Sequence, residues 1–578
     1  MPWPQRPANE PASASNGSIP APRLPPRSDS QPATVSVLST LITGKSLRVP
    51  RQDKAVLLHP SLLQAARLAN ETRQLFGSSD IRIGGIRLAD WRDQVATDTL
   101  AAAAEYSADC GHSLPTHNSS GPLIVAGHQP TLFHCGVLIK NFAVARLARH
   151  LHGTPINLII DNDIATPLHL AVPDGTPDQP ATRLIPFAAD SAARPWEDIK
   201  PDLSGAFTGF PDRVTDALSR WNIRPVLPNI WPAAVSVAEQ GRGLADCLSA
   251  ARINLQDQFD HGTLELPISR LATRKPFLRF LALLLLDAER FADAHNRALA
   301  AYRITNRIRS RTHPAADLKR CDDWLETPFW CWHAGDTRRR RLMVRATQQS
   351  IAVSDGNSLE AQWPLTSVSD FTQLADTLGQ WQNDGLKIRP SAISTTLFAR
   401  AFLADLFVHG VGGSKYDAVT DSLMADFFRI APPPFLTLSA TLQLPLAGAS
   451  DVTTQDRSRL LARRRRMIHN AQDFLEDGQA TELRHQKTSL IQQQLADSLD
   501  QSPTARQRRR GRYQEFRRLN RELARHTIGA RQALDGELQH LDRQLDANHV
   551  LTNREFAFCL FSAEHLRNFL EHALDELD

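Results

Sequence analysis

Cysteine is scarce in this chain, and its spacing excludes two common kinds of stabilising site. The 578 residues include six cysteines, which are spread from Cys110 to Cys559 without paired spacing. Neither a disulfide framework nor a zinc ribbon is therefore indicated. A reducing compartment, the cytoplasm, is the simplest expectation for such a protein.

Long apolar runs and secretion signals are lacking as well. The longest apolar stretch, Phe280–Leu286, is far shorter than the roughly 20 residues that a membrane helix needs. Residues 1 to 33 are rich in Pro and Ser and have no apolar central region, so they predict a disordered tail rather than a secretion signal. We therefore expect no membrane partner.

The overall composition is that of a globular protein. Hydrophobic residues make up 42% of the chain and charged residues 22%, which indicates a sizeable core. At roughly 100 to 200 residues per domain, the length predicts about three structural units. The 66 basic and 62 acidic residues leave a net charge of only +4, so nucleic acid is not expected as a partner unless a local patch binds it.

A strand, loop, helix and second strand follow one another between residues 123 and 160. Leu123–Ala126 is a short apolar run stopped by Gly127, an apolar helix is predicted from Val137 to His150, and a second buried strand covers residues 156–160. This is the parallel crossover of a doubly wound α/β sheet, whose ligands bind beyond the carboxyl ends of the strands. Two loops, 127–136 and 161–167, should lie at that edge.

We expect residues 34–452 to form this α/β core, with helical and hairpin insertions. One long helix is predicted from Phe277 to Ala301, and residues 326–346 have the pattern of a hairpin that turns at Gly335-Asp336. A further helix is predicted from Asp417 to Phe428, before strand-like alternation from residue 432 onward.

The composition changes abruptly from about residue 453 to 547, where Arg, Gln, Asp and Leu dominate. The apolar residues approximate the seam spacing of a coiled coil, and Ser502-Pro503 separates two runs, so we expect an antiparallel coiled-coil hairpin, which could also form a homodimer. The clusters Arg463–Arg466 and Arg508–Arg510 could contact nucleic acid, although solvated coiled-coil faces usually have such compositions. Residues 548–578 end in an apolar stripe typical of a helix that packs back on the core.

The loop after the first strand contains the residue types of a binding site. Gly127 allows the backbone to turn tightly, and the helix that begins near Gly136 would offer unpaired amides to an anionic group. The side chains that would add donors, a base or a charge are those of His128, Gln129, Lys140 and Asn141. The alternative is that the glycines only shape a turn and that His128 is a hydrogen-bonded structural histidine.

Two carboxylates, Asp161 and Asp163, follow the second strand. They could bind a substrate amine, orient a general base or coordinate a metal, and with His128 they are our candidate catalytic residues. Helix capping is the alternative role for one of them. No paired ligand spacing recurs, so no metal site is predicted.

A later segment, VGGSKYD at residues 411–417, could bind an anion on its backbone amides. No phosphate-binding P-loop pattern is present. The candidate substrate-binding residues here and in the preceding segment are Arg389, Arg400, Gly412, Gly413, Ser414, Lys415 and Asp417. A glycine turn between helices, flanked by surface arginines, is the alternative.

Two stretches together resemble one known family. GHQPTLFHCGVLIKN followed by NLIIDND is similar to the start of the Rossmann core in the bacillithiol biosynthesis cysteine-adding enzymes, and residues 389–417 resemble a later segment of that family. The order of core, late coiled-coil hairpin and short C-terminal helix fits as well. His128 stands where the family has Gln, and Asn162 where it has His. The resemblance implies a Rossmann-like α/β core that holds a malate-type carboxylate and a sugar near these loops.

The activity that the resemblance implies is a ligase-like condensation of cysteine with a small anionic amino-sugar conjugate. Carboxyl activation would need a nucleotide or an activated donor, and the sequence identifies neither. One alternative is a non-catalytic scaffold that acts through the coiled-coil hairpin. Another is a nucleotidyl-transfer enzyme, because a Gly-His pair after a first strand also serves that superfamily, although Val125 replaces one histidine of its four-residue signature.

Overall fold

The structure is a computed structural model that describes residues 47–112, 118–189, 193–336, 338–347, 349–357, 360–364, 371–496 and 502–575. The chain divides into two units. Unit 1 comprises Met1–Val172, Leu184–Gln443 and Arg554–Asp578, and unit 2 comprises Pro173–Arg183 and Leu444–Asn553. The predicted tail, residues 1 to 33, lies outside the described residues.

Strands and helices alternate through most of the described chain. The strands, in chain order, are β1 (Val56–His59), β2 (Arg82–Ile83), β3 (Ile86–Arg87), β4 (Leu123–His128), β5 (Thr154–Ile159), β6 (His169–Thr176), β7 (Gln179–Pro186), β8 (Leu264–Pro267), β9 (Arg320–Cys321), β10 (Trp324–His333), β11 (Arg340–Ala346), β12 (Ser350–Ser354), β13 (Glu360–Pro364), β14 (Leu386–Pro390), β15 (Leu406–His409) and β16 (Phe435–Ala440). The α-helices are α1 (Leu62–Gly77), α2 (Leu88–Asp109), α3 (Cys135–His150), α4 (Phe210–Ser219), α5 (Leu227–Glu239), α6 (Leu244–Gln258), α7 (Ile268–Leu271), α8 (Lys275–Leu286), α9 (Ala288–Thr305), α10 (Phe371–Asn383), α11 (Ala392–Phe398), α12 (Val411–Leu423), α13 (Thr454–His469), α14 (Thr481–Ala496), α15 (Pro503–Arg525), α16 (Ile528–Leu551) and α17 (Ala563–His572).

The core of unit 1 is a six-stranded sheet in the order β1-β16-β15-β4-β5-β8. The five strands from β16 to β8 are parallel, and β1 runs antiparallel at the edge. β4 and β5 are buried along nearly their whole length, as expected of strands that are covered on both faces. The α/β class, the mostly parallel sheet and the β4-α3-β5 crossover are confirmed.

The chain leaves the two central strands in opposite directions. After β4 it passes through α3 to β5, which lies on the β8 side, whereas after β15 it passes through α12 to β16, on the β1 side. Such a reversal opens a crevice beyond the carboxyl ends of the two strands, which is the usual ligand site of open α/β sheets. We call it the switch-point crevice, and it begins at His128 and His409, the last residues of β4 and β15.

A second, antiparallel sheet follows the order β13-β12-β11-β10-β14. β10 and β11 form the hairpin predicted for residues 326–346, and the turn contains Gly335 with φ +96°. That prediction is confirmed. β14 pairs with β10 on the other side and ends at Pro390, where the chain returns to the first sheet.

Two predicted helices have different boundaries in the structure. The helix expected from Phe277 to Ala301 is two helices, α8 and α9, because Asp287 has φ −118° and ψ 35° and its carboxylate accepts from Arg290. The helix expected from Asp417 begins at Val411, so the glycine segment is helical and not a loop. The N-terminal strand β1 was not predicted.

Unit 2 contains four helices, α13 to α16, in the region where the seam spacing predicts two. α13 ends at His469, with Asn470 as its C-cap, and its last carbonyl groups accept from Lys487 and Thr527. Ser502 caps α15 beside the predicted reversal. A continuous coiled-coil hairpin is therefore not confirmed. The unit also extends beyond the expected 453–547 boundaries, to residues 444 and 553.

The C-terminal segment is part of unit 1. Its residue Ala557 forms a bridge with His134, Phe558 donates to the carbonyl of Phe133, and the helix α17 follows. Packing of the C-terminal segment on the core, predicted for residues 548–578, is seen from residue 554 onward. None of the helices in the described part of the chain combines the length and apolar character that crossing a bilayer requires.

Candidate functional site

The register of the sheet brings the two predicted site segments together. Val408 of β15 pairs with Ala126 of β4, so the next residues, His409 and Gly127, lie side by side at the carboxyl edge. Gly127 is still within β4, where it pairs with Leu158, and the loop begins two residues later than expected, after His128. The first turn of α12 starts directly after His409 and Gly410. Residues from distant parts of the chain thus share the switch-point crevice.

His128 is a buried, fully engaged imidazole. Its Nδ1 lies 3.1 Å from the carbonyl oxygen of Gln129, and its Nε2 lies 2.9 Å from Oδ1 of Asn141. Burial, followed by the charges of Arg252 and Lys140, holds the pKa of His128 well below its usual value. Both neighbours are oxygen atoms, so the neutral imidazole donates to only one of them, and its other nitrogen is enclosed against an oxygen, where it is poorly placed to accept a substrate proton. The geometry favours the structural alternative for His128 over the predicted catalytic role.

Asp163 connects three segments at the mouth of the crevice. Its Oδ2 accepts from Nε2 of Gln129 at 2.6 Å, and its Oδ1 accepts from Nη2 of Arg339 at 2.5 Å. Arg339 also donates to the carbonyl of Asn162 at 2.7 Å and lies over the ring of Trp330. Asp163 and Gln129 therefore hold the loops after β4 and β5 against the β10–β11 hairpin.

Asp161 is buried at the end of β5 and is bound by one residue that follows β8. The backbone amide of Ser269 donates to Oδ1 at 2.9 Å, and the Ser269 hydroxyl donates to Oδ2. Burial and the nearby charge of Glu197 raise the pKa of Asp161 to about 7. A carboxyl group with such a pKa can exchange a proton near neutral pH.

Arg389, predicted to clamp a substrate carboxylate, is bound within the protein. Its Nε and Nη2 each donate to Glu197 at 3.0 Å, and its Nη1 donates to Gln382 at 2.7 Å. Lys387 lies 3.2 Å from the same Glu197 carboxylate. Because both edges of the guanidinium are engaged, Arg389 shapes the wall of the site rather than offering a free fork.

Arg400 and Asp417 form a buried ion pair beneath α12. Arg400 Nη1 lies 2.7 Å from Asp417 Oδ2 and 2.6 Å from Asp421 Oδ1, and the Arg400 and Asp417 side chains are each 1% exposed. Burial opposes ionisation of Asp417, but the charges of Arg400 and His409 hold its pKa at about 2. Neither predicted substrate-binding side chain can contact a ligand from this position.

His409 is the site residue that the sequence analysis missed. Its Nε2 lies 2.7 Å from Asp417 Oδ2, an ion-pair contact that positions the ring although its angle lies outside hydrogen-bond geometry. Its Nδ1 faces the first turn of α12, where a β-carbon at Gly413 would lie only 2.8 Å away. Among the described residues, Nδ1 has no hydrogen-bond partner. The available signal was its place at the end of an apolar strand, directly before Gly410.

The first turn of α12 is open to ligands. Its N-cap, Gly410, makes no side-chain capping bond, and a β-carbon there would meet nothing within 4 Å. Ser414 is the first amide with a helical partner, the Gly410 carbonyl at 3.0 Å, so the amides of residues 411–413 have none in the described chain. The Ser414 hydroxyl is bound to the Val411 carbonyl, and Lys415 is exposed on the helix surface.

The N-terminus of α3 is closed, contrary to expectation. His134 caps the helix by accepting from the Gly136 amide at 3.0 Å. A β-carbon at Gly136 would overlap the Ala440 carbonyl and approach Arg554 to 2.6 Å, and the Val137 amide donates to the His134 carbonyl, so these amides already have partners within the protein. The expected anion site near Gly136 is wrong because the C-terminal segment covers it. α12 provides the open helix terminus instead.

Lys140 and Asn141 lie in the interior behind this terminus. Asn141 is fully buried between His128 and Gln256. Lys140 is 5% exposed, and burial lowers its pKa to about 8. No hydrogen bond or ion pair reaches its ammonium from the described residues.

Neither similarity to known proteins nor a cluster of metal-ligating side chains identifies a function for this site. In the described part of the chain, no group of three or more His, Cys, Asp or Glu side chains could hold a metal ion. No family model matches the sequence. No curated protein is similar enough to count as a match.

Proposed function

We propose that this protein is an enzyme that acts on a small anionic metabolite in the switch-point crevice. The observation that supports it is the juxtaposition of His409, oriented by Asp417, with the open first turn of α12. A histidine held by a carboxylate is a common proton acceptor, and a free helix N-terminus favours anions. His128, the residue that a nucleotidyl-transfer mechanism would use, is fully engaged.

The reaction class follows from the resemblance to the cysteine-adding enzymes: formation of an amide between an amino acid and an anionic amino-sugar conjugate. The amine nitrogen attacks an activated carboxyl carbon, the carbon–nitrogen bond forms, and the activating group leaves with its electron pair. The proton lost by the amine passes to Nδ1 of His409. The amides of residues 411–413 stabilise the oxyanion that develops. Asp161, with a pKa of about 7, is the second candidate for proton transfer.

Ligand binding tests the first part of this proposal. Calorimetry should show heat on titration of the full chain with cysteine, an amino-sugar malate conjugate or a nucleotide, each alone and then in pairs. The absence of heat with every ligand and pair would contradict the proposal and favour a non-catalytic scaffold.

A histidine substitution tests the chemistry. His409→Gln should lower the rate of amide product formation, followed by mass spectrometry, by roughly 100-fold to 10,000-fold, since that is the usual contribution of a general base. His485→Gln, which alters an exposed histidine of α14, is the matched control. Equal rates for both variants would remove His409 from the mechanism.

A further inference from the structure

Lys140 is a buried cation without a counter-charge. Its side chain is only 5% exposed, and burial is the sole cause that shifts its pKa. Lysine is rarely buried unless it is paired, and an unpaired buried charge costs free energy. Packing alone therefore gives no reason for a lysine at this position.

The place of Lys140 in the fold directs its side chain toward the carboxyl edge of the sheet. It lies in the second turn of α3, and helical side chains lean toward the N-terminus of their helix. That end of α3 packs beside Ala440, the last residue of β16. The charge of Lys140 acts on His128 of β4 and on His134 at the N-cap. The next residue along the helix, Asn141, contacts His128 Nε2 at 2.9 Å, so Lys140 lies in the helical turn beside the inner wall of the switch-point crevice.

A charge count around His128 shows one uncompensated positive charge. The two cations that act on His128 are Arg252 and Lys140. Arg252 is paired with Glu265, and both side chains are 1% exposed. Arg252 Nη1 is nevertheless buried without a hydrogen-bond partner. The single carboxylate of Glu265 balances Arg252, and the charge of Lys140 remains.

We propose that Lys140 binds one acidic group of the ligand, through a salt bridge from its ammonium to a carboxylate or phosphate oxygen at the inner wall of the switch-point crevice. This inference rests on the proposed function for the location of the ligand, and it adds that the ligand has an acidic group that becomes buried. One singly charged acidic group of the ligand would balance the positive charge of Lys140. The neutral side chains of His128 and Asn141 lie beside this wall.

Few other titratable groups face this end of α3. His134 lies at the N-cap with its Nε2 3.3 Å from Glu555 of the C-terminal segment, and Arg554 acts on His134 from the same segment. Neither Glu555 nor any other acid contributes to the pKa of Lys140. If substitution of Lys140 removes stabilisation by an anion, the lost stabilisation is therefore attributed to this lysine.

The test compares Lys140→Met with Lys319→Met, which removes the same charge from an exposed position. Melting temperatures of the full chain are measured at pH 7 and constant ionic strength with sodium acetate, inorganic phosphate or the neutral isostere acetamide. Wild type and Lys319→Met should be stabilised by acetate or phosphate and not by acetamide, and the stronger anion identifies the acidic group. Lys140→Met should lose the part of this response that depends on its ammonium, leaving a smaller shift from the open first turn of α12, and without ligand it should melt above wild type because it buries no charge.

The pH dependence of the anion-induced shift in melting temperature is a second test. The anion response of wild type should decline as the pH rises through 8, because the ammonium loses its proton, and Lys140→Met should show no such change. A Lys140→Met variant whose anion response equals that of wild type would overturn the inference, whatever its melting temperature without ligand. His409→Gln should keep the anion response, so failure of catalysis and failure of this subsite give different results.

Discussion

Two histidines at the same edge of the sheet show how environment decides a role. His128 is enclosed on the α3 side, with both ring nitrogens engaged and its pKa lowered by burial and by the charges of Arg252 and Lys140. His409 faces the α12 side, where Asp417 holds one nitrogen and the other is turned to the first helical turn. A proton acceptor needs an orienting partner and a free nitrogen. Of these two histidines, only His409 has both.

Arg400 belongs to the same network, and we expect its removal to destabilise the fold. Arg400→Met leaves the Asp417 carboxylate buried, with His409 as its remaining close partner. Removing one member of a buried pair typically costs about 3–5 kcal/mol, so the free energy of unfolding measured in urea should fall by about that amount. Arg320→Met, which breaks an exposed pair with Glu289, should cost at most about 1 kcal/mol. Equal losses would show that the buried pair is not stabilising.

The first turn of α12 is the element on which the proposed site depends, and its two adjacent glycines allow a matched comparison. An alanine β-carbon at Gly413 would lie 2.8 Å from His409 Nδ1, whereas one at Gly412 would meet only the Tyr416 hydroxyl at 3.7 Å. Gly413→Ala should therefore displace the imidazole, lower product formation and cost about 1–3 kcal/mol of stability. Gly412→Ala should instead gain up to about 1 kcal/mol, because alanine favours the helix. Thermal denaturation and the product assay check both; similar effects on stability would contradict the contact.

Elements with strong local signals could be predicted from the sequence, and those decided by distant contacts could not. The β4-α3-β5 unit follows from apolar runs and helical periodicity within about 40 residues of chain. The start of α12 was placed too late because Gly412 and Gly413 are poor helix formers, while the strand before them and the ring of His409 fix the turn. The closure of α3 depends on Arg554 and the C-terminal segment, which no local pattern connects with Gly136.

The same distinction applies to the candidate site. The two glycine segments, near residues 127 and 412, were predicted as binding segments, and the sheet register brings them to one edge. The direction of each side chain was not predictable, because Arg389, Arg400 and Asp417 have partners that only the folded chain supplies. The proposed chemistry therefore depends on His409 and Lys140 rather than on the polar residues predicted from the motifs. Nδ1 of His409 and the ammonium of Lys140 have no hydrogen-bond partner among the described residues.

At the scale of the whole molecule, the two units should unfold separately. Nine of the ten tryptophans lie among the described residues of unit 1, and none lies in unit 2, so changes in their fluorescence report on unit 1, whereas circular dichroism reports on the helices of both units. Unit 1 has an extensive apolar core, whereas unit 2 has a small buried cluster of Ala471, Leu523 and Ala524, with further single buried residues such as Leu519 and Leu534 along its helices. We expect helical signal to be lost at lower urea concentrations than tryptophan signal. Leu523→Ala should lower the stability of unit 2 alone and shift only the early loss of helical signal, by about 2–5 kcal/mol. Leu281→Ala, in the unit 1 core, should shift only the change in tryptophan fluorescence, by a similar amount. Superimposable fluorescence and dichroism curves for wild type and both variants would instead mean that the chain unfolds as one cooperative structure.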